Sequence, residues 1–182
     1  MLKKFEKRIE NFSLLKNEIK NAENAAEILI SAFKTGNKVL FCGNGGSASD
    51  SNHIACEFVS KFLKNRKALP AISLTSNNSI ITAIGNDFSF ENIFERQVEA
   101  LGNENDVLFC FSTSGKSKNV LKALEKAKEK GLKVIFLTGK NEFKNNSVDC
   151  LIKAPSGVTA EIQEMHTALY HIICEKVEEE LF

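Results

Sequence analysis

Residues 38–58 read KVLFCGNGGSASDSNHIACEF. An apolar run leads into three glycines within four positions, and a stretch with helical spacing follows. That order predicts a strand over 38–42, a turn held open for a ligand, and a helix over about 48–63. Similar apolar runs recur at 69–74 (LPAISL), 106–111 (DVLFCF), 132–138 (LKVIFLT) and 148–153 (VDCLIK). They are rich in Val, Ile, Leu and Phe, and most lack polar alternation, as strands covered on both faces do. Helical patterns lie between them at 78–101 and 117–130, and a long one over 159–181 closes the chain. Strand and helix alternate without hairpin signals. The expected fold is therefore α/β, a three-layer αβα domain with a doubly wound, five-stranded parallel sheet. Ligands in such sheets bind beyond the carboxyl ends of the strands, which directs attention to the loops after Cys42, Leu74, Phe111 and Leu137.

Upstream of the first strand, Phe5, Ile9, Phe12, Leu15 and Ile19 recur at three- and four-residue steps. A second apolar set, Ala25, Ile28, Leu29 and Phe33, predicts another helix, with Asn21 or Asn24 as its cap and Gly36 as its stop. We read one domain over 1–182 with an N-terminal helical arm over 1–35.

Composition narrows the function. Hydrophobic residues make up 43% of the 182, enough for a sizeable core. Lys and Arg total 24 and Asp and Glu 23, a balance that argues against a nucleic-acid partner. The opening MLKKFEKRIENF has no apolar segment of the kind a signal peptide needs, and no run approaches the roughly 18 apolar residues of a membrane span. The five cysteines are odd in number and widely spaced, with no CxxC. They are expected to be free thiols, mostly buried, in a cytoplasmic protein.

The loop FSTSGKSKN, residues 111–119, sets Ser112, Thr113, Ser114 and Ser117 around Gly115 at a strand-to-helix junction. Hydroxyls and free N–H groups at a helix start make an anion site, and here they suit the monoester phosphate of a sugar. The glycine loop is neither GxGxxG nor a Walker loop. Ser47 or Ser49 is its expected helix cap.

His53 and Glu57, four apart, share a helical stripe distinct from the apolar Ile54, Phe58 and Phe62. That spacing can place an imidazole and a carboxylate on one ion, although such pairs are also common on solvated faces. In the last helix Ile162, Met165, Leu169, Ile172 and Ile173 mark the core side, while Gln163, Thr167 and His171 step along another. Gln163 and His171 are separated by roughly 12 Å of helix and form no local chelate. His166, beside Met165, reads equally as a packed histidine, and spacing alone does not choose between His166 and His171.

Four segments together, CGNGGSASDSNHIACEF, AIGNDFSFENIFERQVEAL, STSGKSKNVLKAL and EIQEMHTALYHIICEKVEEE, resemble the phosphoheptose isomerases of the sugar isomerase (SIS) domain class. The likeness runs from about residue 36 to the end. It implies an aldose–ketose isomerase that converts sedoheptulose 7-phosphate to D-glycero-D-manno-heptose 7-phosphate by enediolate proton transfer. The product would feed nucleotide-activated heptose biosynthesis for lipopolysaccharide or capsule. Carried over by position, His53, Glu57, Gln163 and His171 bind one Zn2+ per subunit, and Glu57 and His171 are the acid–base pair. Asn44, Gly45, Gly46, Asn86 and Asp87 contact substrate, as do Ser112, Thr113, Ser114 and Ser117; Glu57 and Gln163 join them. The resemblance also implies a homotetramer with active sites near subunit boundaries. Three features depart from the family pattern: Lys61 and Glu161 stand where Arg is usual, and TGKNEFKNN lacks the common extra glycines. Other SIS proteins are non-catalytic scaffolds for a replication initiator or modules that sense sugar phosphates. The presence of both Glu57 and His171 favours the enzyme.

Overall fold

A computed structural model describes residues 1–182. Five strands, β1 (Val39–Cys42), β2 (Ala71–Ser73), β3 (Val107–Ser112), β4 (Lys133–Thr138) and β5 (Cys150–Lys153), form one sheet. Its order is β2-β1-β3-β4-β5, and every pairing is parallel. Successive strand residues point to opposite faces, so a strand covered on both sides is apolar throughout. In β3, Phe109 and Phe111 join one core cluster while Leu108 and Cys110 join the other.

Seven α-helices cover the sheet: α1 (Leu2–Leu14), α2 (Ile19–Lys34), α3 (Gly46–Val59), α4 (Asn78–Asp87), α5 (Glu95–Leu101), α6 (Lys118–Glu129) and α7 (Thr159–Leu181). Buried side chains of α2, α3 and α7 pack on one face, those of α5 and α6 on the other. The three-layer doubly wound architecture is the expected one. Chain direction across the sheet reverses between β1 and β3, so their carboxyl ends flank the crevice where ligands bind in such folds.

Several local expectations need correction. Neither Asn21 nor Asn24 caps the second helix; a short 3-10 turn over Leu15–Glu18 runs directly into α2. Gly36 does end it, with φ 79° and a Schellman pattern in which Asn37 N donates to Ala32 O and Gly36 N to Phe33 O. The third helix stops at Val59, earlier than the apolar pattern suggested, because Ser60 leaves helical angles. The single helix read over 78–101 is broken at Phe88–Phe94, where Ser89 is extended. Of the arm's first apolar stripe only Leu15 is buried; Phe5, Ile9 and Phe12 are 62%, 53% and 41% exposed. Ile172 is likewise exposed, while Ile162, Met165, Leu169 and Ile173 are buried. All five cysteines are free, and only Cys56 is exposed. No helix is long and apolar enough to cross a membrane.

Candidate active site

Two loops meet at the β1/β3 crevice. After β1, Gly45 (φ 57°) turns the chain into α3, and the helix starts at Gly46. Ser47 and Ser49 therefore lie inside the helix and cap nothing. After β3, Ser117 stands at the N-cap of α6 without capping; its hydroxyl pairs with that of Ser112 at 3.0 Å. Asn44 and Asn119 exchange two amide hydrogen bonds, 2.9 and 2.8 Å, that tie the loops together. Between them opens a cavity of about 290 Å³ lined by Asn44, Gly45, Gly46, Ser112, Thr113 and Ser117 along with Gln163 of α7. The absent side chain of Gly46 leaves room for the Gln163 amide, which a Cβ there would displace. A larger concavity, about 870 Å³, lies at the opposite end of the sheet beside Asn105, Lys133 and Asp149, away from these loops.

Further along α3, His53, Glu57 and His171 of α7 form a triad. One ligating atom from each lies within 4.8 Å of the others. His53 Nε2 is 3.2 Å from Glu57 Oε1, and the two imidazoles meet edge to face with centroids 5.1 Å apart. Two imidazoles and a carboxylate are a donor set that suits zinc. The other ring nitrogen of His53, Nδ1, pairs with the Tyr170 hydroxyl at 2.8 Å, which fixes the ring with Nε2 facing Glu57. Burial, together with the charge of His53, holds the His171 imidazole below its ordinary range against the opposing pull of Glu57. At neutral pH it is a free base.

The structure thus brings His53, Glu57 and His171 together, and Gln163 faces the neighbouring cavity on the same helix as His171. Ser114 is exposed, and its hydroxyl accepts from Lys116 N and does not line the cavity. Asn86 and Asp87 lie at the exposed end of α4, outside it. His166 is fully buried, with Nε2 3.1 Å from Thr138 O. Lys61 is exposed and unpaired, whereas Glu161 accepts from Asn11 and Ser156, each at 2.7 Å, docking the arm onto α7.

Three features escaped the sequence reading. Tyr170 is apolar in pattern and shows its role only across 117 residues. Asp50, one turn before His53, has a carboxyl pushed up to about 6 by burial and an Oδ2 with no partner. Asn119 had a usable signal, being a polar residue in the buried stripe of α6 with Val120, Ala123, Leu124 and Ala127.

A family model described as SIS domain matches residues 3–139 and defines the class of the fold. Among curated proteins the chain is 55% identical over 165 residues to a phosphoheptose isomerase of Clostridium acetobutylicum, covering 90% of this chain and 84% of that one. It is 50% identical over 158 residues to a phosphoheptose isomerase of Rhodospirillum rubrum, covering 86% and 84%. The solved phosphoheptose isomerase GmhA of Neisseria gonorrhoeae matches with a TM-score of 0.91 at 35% identity, covering 98% of this chain and 96% of that one. The chain belongs to the phosphoheptose isomerase family, and it is an isomerase.

Proposed function

We propose that the chain interconverts sedoheptulose 7-phosphate and D-glycero-D-manno-heptose 7-phosphate, within a single domain, on the way to nucleotide-activated heptose for lipopolysaccharide or capsule. One observation carries this reading: the hydroxyl-lined cavity and the cluster of His53, Glu57 and His171 both border helix α3 but are well apart along it. Gly46 borders the cavity and His53 begins the triad, seven residues or ~10 Å on. A substrate whose phosphate and carbonyl stand at opposite ends of a long chain fits two such separated centres.

Ser112, Thr113 and Ser117 and the free N–H groups of the α6 start hold the phosphate, with the helix dipole favouring it. Asn44, Gly45 and Gly46 close the other side of that cavity, and Gln163 reaches the sugar hydroxyls. Glu57 takes the proton from C1 and returns one to C2, as a carboxylate base can. His171, a free base near neutrality, then moves the proton between the O1 and O2 oxygens. His53, Glu57, Gln163 and His171 would hold a zinc ion, which supplies positive charge to developing oxyanions when bound.

The exposed stripe of Phe5, Ile9 and Phe12 supports self-association, because large apolar residues recurring on one helix face are suited to a covered surface. We assign it to a homotetramer contact. Asn86, Asp87 and Ser114, outside the cavity of their own subunit, then act at or near a subunit boundary. Incubating purified protein with sedoheptulose 7-phosphate, with and without added zinc, and following the sugars by NMR tests the reaction. Formation of the aldose phosphate is expected; unchanged ketose under both conditions contradicts it.

A further inference from the structure

We infer that the buried Arg66–Glu178 pair is a positioning device that sets where Glu57 and His171 stand relative to each other. The inference rests on the reading of those two residues given above. Neither side chain of the pair is more than 3% exposed, and Arg66 Nε donates to Glu178 Oε1 at 2.7 Å. Each partner also binds backbone that leads directly to the site.

The Arg66 guanidinium spans the carboxyl end of α3. Nη2 donates to the carbonyl of Glu57 at 2.8 Å, and Nη1 to that of Phe58 at 2.9 Å. These carbonyls belong to the last turn of the helix, where partners within the helix run out. Glu178 lies seven residues after His171 on α7 and takes the segment beyond α3. It accepts from the backbone N–H groups of Phe62, Leu63 and Lys64 at 3.2, 2.8 and 2.7 Å. Burial pushes its carboxyl up, but these bonds and Arg66 outweigh burial and hold it below the ordinary carboxylate range, so it stays ionised. The held segment places the Phe62 ring against His171, with centroids 5.6 Å apart.

One ion pair therefore holds the main chain of Glu57 and the main chain of Phe62, whose ring packs against His171. It also bolts α3 to α7, the two helices that carry the triad. A lysine at position 66 cannot replace it, because a single ammonium cannot present the planar fork that reaches a carboxylate and two carbonyls at once.

The test uses Arg66→Lys, Glu178→Gln and Phe62→Ala in the full chain, with Leu124→Ala as a control. Leu124 is buried on the opposite face of the sheet, so its truncation lowers stability without touching the pair. The zinc dissociation constant is read by competition with a chromophoric chelator on protein shown to be folded by circular dichroism; kcat and KM are read separately. The expected result is zinc binding weaker by about tenfold or more in the three variants. Their kcat should fall with KM little changed, while the control keeps the parent's zinc affinity at a comparable loss of Tm. Phe62→Ala removes a half-buried ring and leaves the pair intact, so it isolates the contact with His171; if one charge variant does not fold, the other carries the test of the pair. Folded variants that match the parent in both zinc affinity and kcat would overturn the inference. If the parent itself binds no zinc, the metal reading of the triad falls, and unchanged kcat in the folded variants overturns the positioning role independently.

Discussion

The Tyr170 hydroxyl lies 2.8 Å from Nδ1 of His53, and Nε2 of the same ring lies 3.2 Å from Glu57. A buried phenol thus orients a histidine that is half open to the site. Burial pushes the Tyr170 hydroxyl up to about 12, so it remains protonated throughout the working range. Removing that oxygen leaves the ring free to turn. Tyr170→Phe is expected to weaken zinc binding about tenfold, the lower end of what loss of such an orienting partner costs. Chelator competition on the folded variant measures it, and affinity equal to the parent's would mean that packing alone orients His53.

The two histidines of α7 have separate tasks. His171 stands in the triad, while His166 faces Thr138 O on the far side of the helix. His171→Ala should lose activity by two to four decades, the usual weight of an acid–base group. His166→Leu should retain turnover near neutral pH. Assaying both side by side decides this, and a greater loss in the His166 variant would place the chemistry elsewhere.

His166 should instead leave its mark on stability. Burial lowers its imidazole from the ordinary 6.5 to about 4, against the raising effect of its bond to Thr138. Between those values the unfolded chain binds a proton that the folded chain refuses. Stability is therefore held above pH 6.5 and lost as pH falls toward 4, by about 3 kcal/mol for a shift of this size. Urea unfolding at a series of pH values should show a shallower fall in His166→Leu than in the parent. Parallel curves would show that His166 gains a proton in the folded state.

The serine loop should govern recognition of the phosphate. Ser112 and Ser117 pair at 3.0 Å across the mouth of the loop, both bordering the cavity. Each hydrogen bond to a charged group contributes roughly 1.5–3 kcal/mol. Ser112→Ala with Ser117→Ala should therefore raise the dissociation constant for sedoheptulose 7-phosphate at least tenfold, by calorimetric titration in a Glu57→Gln background. Unphosphorylated sedoheptulose should bind poorly to both proteins. Equal affinity for the phosphorylated sugar would move the phosphate to the glycine loop.

The sheet was legible in the sequence because β1, β3 and β4 are buried on both faces, which leaves their middles apolar and confines polar residues to the strand ends, Ser112, Lys133 and Thr138. Helix ends were harder. The apolar period of 78–101 runs through the break at Phe88, and the apolar pattern of α3 runs on past its end at Val59 into a segment that Glu178, more than a hundred residues away, binds through its backbone. The serine and glycine loops were legible as local chemistry, since hydroxyls and glycines at a strand end have few other uses. The partnership of His171 with His53 and Glu57 was not, because spacing within α7 cannot say which of its faces meets α3. Resemblance to a family supplied that choice, and the structure brings these three side chains together. The arm was legible as a helix from the spacing of Phe5, Ile9 and Phe12, but spacing does not say what covers a stripe, and this chain's own core does not cover this one.

The central claim is that the Glu57 carboxylate moves the carbon-bound proton. It is tested most directly by comparing zinc-loaded wild type and Glu57→Gln on sedoheptulose 7-phosphate, with the aldose phosphate quantified by NMR and folding checked by circular dichroism. Wild type should form product, and the variant should be slower by a hundredfold or more at unchanged fold, since loss of a general base costs about two to four decades. Turnover by Glu57→Gln within about threefold of wild type, far less than such a loss, would contradict the account.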